Sequence, residues 1–150
     1  MERAFALGAD FVDAWIAKGG ALRAVGRLQE ALDCYERALP LAPGDLALLL
    51  DRAAVLQMMG RAAEAVAALD AILSLDGTYV PALINKAGIL YAAGRYVDAV
   101  AAYDAVLARD AKLGEARYGR ANALRELGRV DEALAALDPP RDGDESRPAY

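Results

Sequence analysis

Histidine is absent from the 150 residues, and cysteine occurs once, as Cys34. Without histidine the chain lacks the usual general base near neutral pH, the commonest nitrogen ligand for a metal, and every Ser–His or Cys–His nucleophile. A single cysteine makes no internal disulfide and no thiolate metal cluster. It suits a reducing compartment, and a cytoplasmic location is expected. Aromatic residues are few, at 7%. No apolar run approaches the roughly 20 residues that span a bilayer, so no membrane helix and no membrane partner are expected. The first residues show no basic region followed by an apolar core and a small-residue cleavage site, so no signal peptide is expected either. Positive charge is in deficit, with 17 Lys and Arg against 22 Asp and Glu and a net charge of -5. That argues against nucleic acid as the main partner. No enzyme activity, cofactor or metal ion is expected.

What is present is repetition. Gly26-Arg27, Gly60-Arg61, Gly94-Arg95 and Gly128-Arg129 recur every 34 residues, as do Ala31, Ala65, Ala99 and Ala133, and Leu22, Leu56, Leu90 and Leu124. Alanine and leucine dominate, and Val and Ile never alternate as they do in strands, so the fold class is all-α. Within a period the apolar spacing is helical. Trp15, Gly19, Leu22 and Val25 form one stripe, and Ala31, Tyr35, Ala38 and Leu39 form a second. Gly26 stands between them as a helix stop and turn. Glu30, Glu64, Asp98 and Glu132 fall in the first turn of each second helix, where the helix dipole favours an acid. Pro43 and Gly44 close the first unit. Each unit is a helical hairpin, and the array is expected to be a right-handed solenoid.

The pattern Trp15-x2-Lys18-Gly19-x2-Leu22, followed by Ala31-x3-Tyr35, Ala38 and Pro43, resembles the tetratricopeptide repeat. The resemblance sets expected boundaries: repeats over 12–45, 46–79 and 80–113, a truncated fourth over 114–138, and a polar tail over 139–150. Residues 1–11 read as the end of a second helix from an incomplete preceding repeat, because Glu2, Arg3, Ala4 and Leu7 match Glu36, Arg37, Ala38 and Leu41. Ala4, Phe5 and Leu7 are expected to pack near Trp15. The sequence departs from the family pattern in places. The tryptophan column becomes Leu49, Leu83 and Arg117, and Gly77 and Ala111 replace the closing proline. Lys18, Arg52, Lys86 and Arg120 fill a column that often holds leucine, and their stems are expected to lie over the helix pair with the charges in water.

Members of this family hold peptide segments of protein partners in a concave groove lined by the stripe next to the packing stripe. Here the first groove column is Ile16, Leu50, Ile84 and Tyr118, and the second is Gly20, Ala54, Gly88 and Asn122. The third is Arg23, Gln57, Tyr91 and Arg125. Glycine inside a helix costs roughly 1 kcal/mol relative to alanine, and Gly20 and Gly88 do not match the family's packing glycine as Gly19 does. Two readings stand: side chains of an apolar peptide or amphipathic helix enter there, or neighbouring first helices crowd together and need small residues. One subset of the family grips C-terminal carboxylates. Of the matching positions only Asn85 fits, while Asp51 and Glu115 would repel such a ligand.

The expectation is a non-catalytic protein-interaction scaffold. The alternatives are a self-assembling scaffold and a regulatory segment of a larger enzyme. Self-assembly would make a homo-oligomer through the open array ends or through an alanine wall formed by Ala67, Ala68 and Ala71, Ala101, Ala102 and Ala105, and Ala135 and Ala136. Cys34, in the Ala68 column, reads as a small helix residue and not as a reactive thiol.

Overall fold

A computed structural model describes the backbone of residues 2–138 and, with side chains, Gly8 and residues 11–138. Among the described residues there are eight α-helices and no strand. They are α1 (Glu2–Ala24), α2 (Leu28–Ala38), α3 (Leu46–Met58), α4 (Ala62–Leu75), α5 (Val80–Ala92), α6 (Tyr96–Leu107), α7 (Gly114–Glu126) and α8 (Val130–Leu137). None is long and apolar enough to cross a membrane. The chain divides into two compact units, Met1–Asn85 and Lys86–Tyr150.

One turn builds every hairpin. Gly26, Gly60, Gly94 and Gly128 adopt φ of +74° to +80°, a region closed to most side chains. In the first copy the Gly26 N–H donates to the Arg23 carbonyl at 3.1 Å and the Arg27 N–H to the Leu22 carbonyl at 2.9 Å. This is a Schellman closure, with glycine at the left-handed position, and the same pair of bonds recurs in the other three copies. The arginine then reaches three residues forward to the acid of the next helix. The pairs Arg27–Glu30, Arg61–Glu64, Arg95–Asp98 and Arg129–Glu132 lie at 2.5–2.8 Å. The acids were legible as dipole partners, and the structure adds their second role as anchors for the arginine. Replacing Gly60 with alanine is expected to destabilise the first unit by about 1–2 kcal/mol, the cost of a left-handed L-residue. Urea denaturation followed by circular dichroism measures this.

In the first unit α1 packs on α2, α3 on α4, and both α1 and α2 touch α3. Ala31, Tyr35, Ala38, Leu48, Ala53, Val55, Leu56, Ala65, Leu69 and Ile72 are almost wholly removed from water. The periodicity extends the packing stripe to Val25, but Val25 is 70% exposed. The regular helix ends at Ala24, so Val25 already belongs to the turn and has left the helical phase. Ala68 also departs from the exposed alanine wall expected of it. It is buried with Ala65, Leu69 and Ile72 at positions i, i+3, i+4 and i+7 of one face, whereas Ala67 and Ala71 remain exposed. Cys34, in the Ala68 column, is buried too.

α1 runs without interruption from Glu2 to Ala24, so residues 2–11 and the first helix of the 12–45 repeat share one helix. The expected packing of Ala4, Phe5 and Leu7 lies outside the described side chains, and the tail 139–150 lies outside the described residues. Where the closing proline is missing, aspartates make the turn. The Asp76 carboxylate accepts from the Thr78 N–H at 2.9 Å and from its hydroxyl at 2.7 Å. Asp110 accepts from the Lys112 N–H at 3.1 Å. These side-chain closures supply the bend that proline gives the first unit.

The second unit packs α7 between α6 and α8, with Ala99, Val106, Ala116, Ala123 and Leu124 fully buried. Arg117, at the last position of the tryptophan column, donates from Nε to the Ala136 carbonyl at 3.2 Å and from its terminal nitrogen to the Asp138 carbonyl. It therefore satisfies carbonyls that the end of α8 leaves without helical partners. The basic column also does more than lie over the surface with its charges in water. Arg52 reaches back 16 residues to Glu36 at 3.4 Å, and Arg120 back 16 to Asp104 at 2.5 Å. Each clips a first helix to the second helix before it.

Candidate peptide groove

The proposed groove residues sit on the first helices one position beyond the buried stripe, so a spacing of i, i+4 and i+7 keeps them on one strip. α1 carries Ile16, Gly20 and Arg23, and α3 carries Leu50, Ala54 and Gln57. α5 carries Ile84, Asn85, Gly88 and Tyr91, and α7 carries Tyr118, Asn122 and Arg125. None of them is buried: Gln57, Tyr118 and Arg125 are exposed and the rest are half-buried.

In the first unit two adjacent glycines behave differently. A Cβ on Gly19 would stand 2.6 Å from Cε1 of Tyr35, so this glycine makes room for the tyrosine ring. A Cβ on Gly20 would meet nothing closer than the Tyr35 hydroxyl at 3.9 Å, and one on Gly88 would meet nothing within 4 Å. Crowding by neighbouring helices therefore does not account for the glycine at either place.

Tyr35 rises from α2 beneath this strip. The residue is fully buried, and its hydroxyl has no hydrogen-bond partner among the described residues. Burial pushes its phenol above the ordinary tyrosine value, the Asp51 carboxylate adds to the rise, and Arg23 opposes it. Arg23 and Asp51 themselves form an ion pair at 3.0 Å across α1 and α3, with about a third of each side chain exposed. By sequence pattern Arg23 lies on the polar edge and Asp51 is a charge hostile to carboxylates. The structure joins them, so neither presents a lone charge. Their 28-residue separation follows no helical period, and Tyr35 reads as ordinary core. The spacing of neighbouring first helices was the missing information.

The second unit varies the same arrangement. Tyr103, 68 residues after Tyr35, is buried with its ring where a Cβ of Gly119 would have to lie. Burial raises its phenol also, with Glu115 the next cause. The positions of Arg23 and Asp51 are taken here by Tyr91 and Gly119. An aromatic contact replaces the ion pair: Tyr91 meets Tyr96 edge-on, with centroids 5.4 Å apart. Asn122 and Arg125 border a small cavity of about 110 Å³ whose apolar wall is Val130, Leu134 and Leu137.

Three family models, each described as a tetratricopeptide repeat, match residues 12–55, 50–114 and 90–150. No curated protein sequence matches the chain. Among solved structures, MamA residues 41-end from Desulfovibrio magneticus RS-1 shares 20% identity at a TM-score of 0.78, over 85% of this chain and 72% of that one. A tetratricopeptide repeat protein from Parabacteroides merdae ATCC 43184 shares 21% identity at 0.81, over 92% of this chain and 55% of that one. A MamA RS-1 double mutant gives 20% identity and 0.79, over 85% and 71%. The helical hairpins, the glycine-arginine turns and the contiguous matches agree, and the chain belongs to the tetratricopeptide repeat family.

Proposed function

We propose that the chain is a non-catalytic scaffold that holds a peptide or an amphipathic helix of a protein partner. In the first unit the seat is the strip Ile16, Gly20, Leu50 and Ala54. The observation that carries this reading is the open space over Gly20 and Gly88. Glycine costs the helix about 1 kcal/mol there relative to alanine, and no described residue fills the space in return. Apolar side chains of an incoming segment fit beside such positions, flanked by Ile16 and Leu50. The Arg23–Asp51 pair bounds the strip with a dipole and no net charge, which favours an uncharged anchor over a carboxylate terminus.

Leucine at Gly20 and Gly88 tests the reading, because it separates stability from binding. Leucine is the better helix former, so the double variant is expected to gain about 1 kcal/mol or more in urea denaturation. It is also expected to lose the protein that wild type captures from a lysate of the source cells, with affinity for the isolated partner down at least tenfold by calorimetry. Equal capture and affinity by wild type and variant would sink the groove.

A further inference from the structure

We propose that the Tyr35 hydroxyl is a recognition group of the groove, donating to a main-chain carbonyl of an extended peptide segment laid over Gly20. The inference rests on the groove proposed above and decides between its two forms of ligand, an extended segment and a helix. Small residues along a strip do not make a site by themselves. Here an independent observation falls at the same place. Tyr35 is fully buried and its hydroxyl has no hydrogen-bond partner among the described residues. That hydroxyl stands 3.9 Å from the place a Gly20 Cβ would take.

A hydroxyl shut away from water without a partner lowers the stability of the free chain. Phenylalanine would fill the same slot without that loss, because the contact with Gly19 is made by the ring carbons Cδ1, Cε1 and Cζ. What tyrosine adds is a donor. Burial raises the phenol above its ordinary value, so it keeps its proton through the neutral range and is available to donate. The acceptor comes with the ligand.

The glycine selects the kind of acceptor. Without a Cβ at residue 20, a second main chain can lie close against the backbone of α1. An acceptor at the place of the missing Cβ has to come roughly 1 Å nearer to reach hydrogen-bond distance of the hydroxyl. Room for this comes from Arg23, one turn along α1 from Gly20, and from Asp51. About a third of each of these side chains is exposed, and an ion pair so open to water rearranges at little cost. A helix already uses its carbonyls for its own N–H groups. An extended segment leaves them free, with its apolar side chains beside Ile16 and Leu50.

The probe is a heptapeptide selected from a random phage-displayed library on the immobilised full chain, then synthesised with acetyl and amide ends. Wild type is expected to select an uncharged, apolar sequence. Its affinity by calorimetry is expected to fall on the order of tenfold in Tyr35→Phe, although that variant gains stability in urea. Each peptide bond of the probe is then replaced in turn by an alkene of the same geometry. One replacement is expected to weaken binding to wild type on the order of tenfold and to leave Tyr35→Phe nearly unaffected, which identifies the accepting carbonyl. Gly20→Leu separates this contact from the groove itself. A loss in Gly20→Leu with none in Tyr35→Phe would overturn the hydroxyl contact and keep the groove. Binding indifferent to Gly20→Leu, or a selection that returns no binder, would overturn both. Replacements that weaken wild type and Tyr35→Phe alike, or a probe that binds as a helix by NMR, would overturn the bond to a main-chain carbonyl.

Discussion

Truncating Tyr35 to alanine is expected to cost the first unit roughly 3–5 kcal/mol, in the range for removing a large buried ring. The ring is fully removed from water and fills a slot opened for it by Gly19, where even a methyl group would stand 2.6 Å away. Glycine has no side chain to relax into the space, so the cavity stays open. Tyr35→Phe should act in the opposite direction. The ring remains while the hydroxyl, which has no partner among the described residues, is taken out of the core, and a gain of about 1 kcal/mol is expected. Urea denaturation of the two variants against wild type measures both signs.

The same residue predicts an alkaline effect. Burial, followed by the Asp51 carboxylate, raises the Tyr35 phenol above the ordinary value of 10.0. The folded state thus holds the proton more tightly than the unfolded chain. The stability this provides is complete below pH 10 and is lost as the pH rises through the raised value. Tyr103 titrates in the same direction in the second unit. In Tyr35→Phe the decline of first-unit stability above pH 10 should be shallower than in wild type, and an unchanged decline would separate it from this phenol.

The second large effect is at Leu56. Leu56→Ala is expected to cost about 2–5 kcal/mol, because the side chain is 1% exposed at the centre of the α3 packing stripe. Val25→Ala should lie within about 0.5 kcal/mol of wild type, although periodicity puts Val25 on the equivalent stripe of α1. Thermal and urea unfolding of the two variants measures the contrast. A comparable loss at both positions would mean that α1 continues in helical phase through Val25, against the turn seen at Gly26.

These two positions show how far periodicity reaches. Apolar spacing identified the stripe of every hairpin, because a helix buries whatever returns every three or four residues. It failed at Val25, where the helix had already ended, and at Ala68, where an exposed alanine wall was expected and the residue lies in the core. Alanine is small enough to sit on either side of a helix, so its identity does not tell which. The strip Ile16, Gly20, Leu50 and Ala54 was legible as a surface stripe. The ion pair that bounds it and the phenol beneath it were not, since each joins residues whose separation follows no local repeat.

The 34-residue period by itself determined the fold class, the hairpins, the four turns and the acids of the second helices. Each of these depends on residues within one or two helical turns of one another, where propensity and dipole act directly. The tertiary structure alone decided which charges are paired. The spacing between adjacent first helices brings Arg23 to Asp51, and the packing of a first helix on the second helix before it brings Arg52 to Glu36 and Arg120 to Asp104. Such contacts are set by the packing distance between helices, a quantity that no single period of the chain contains.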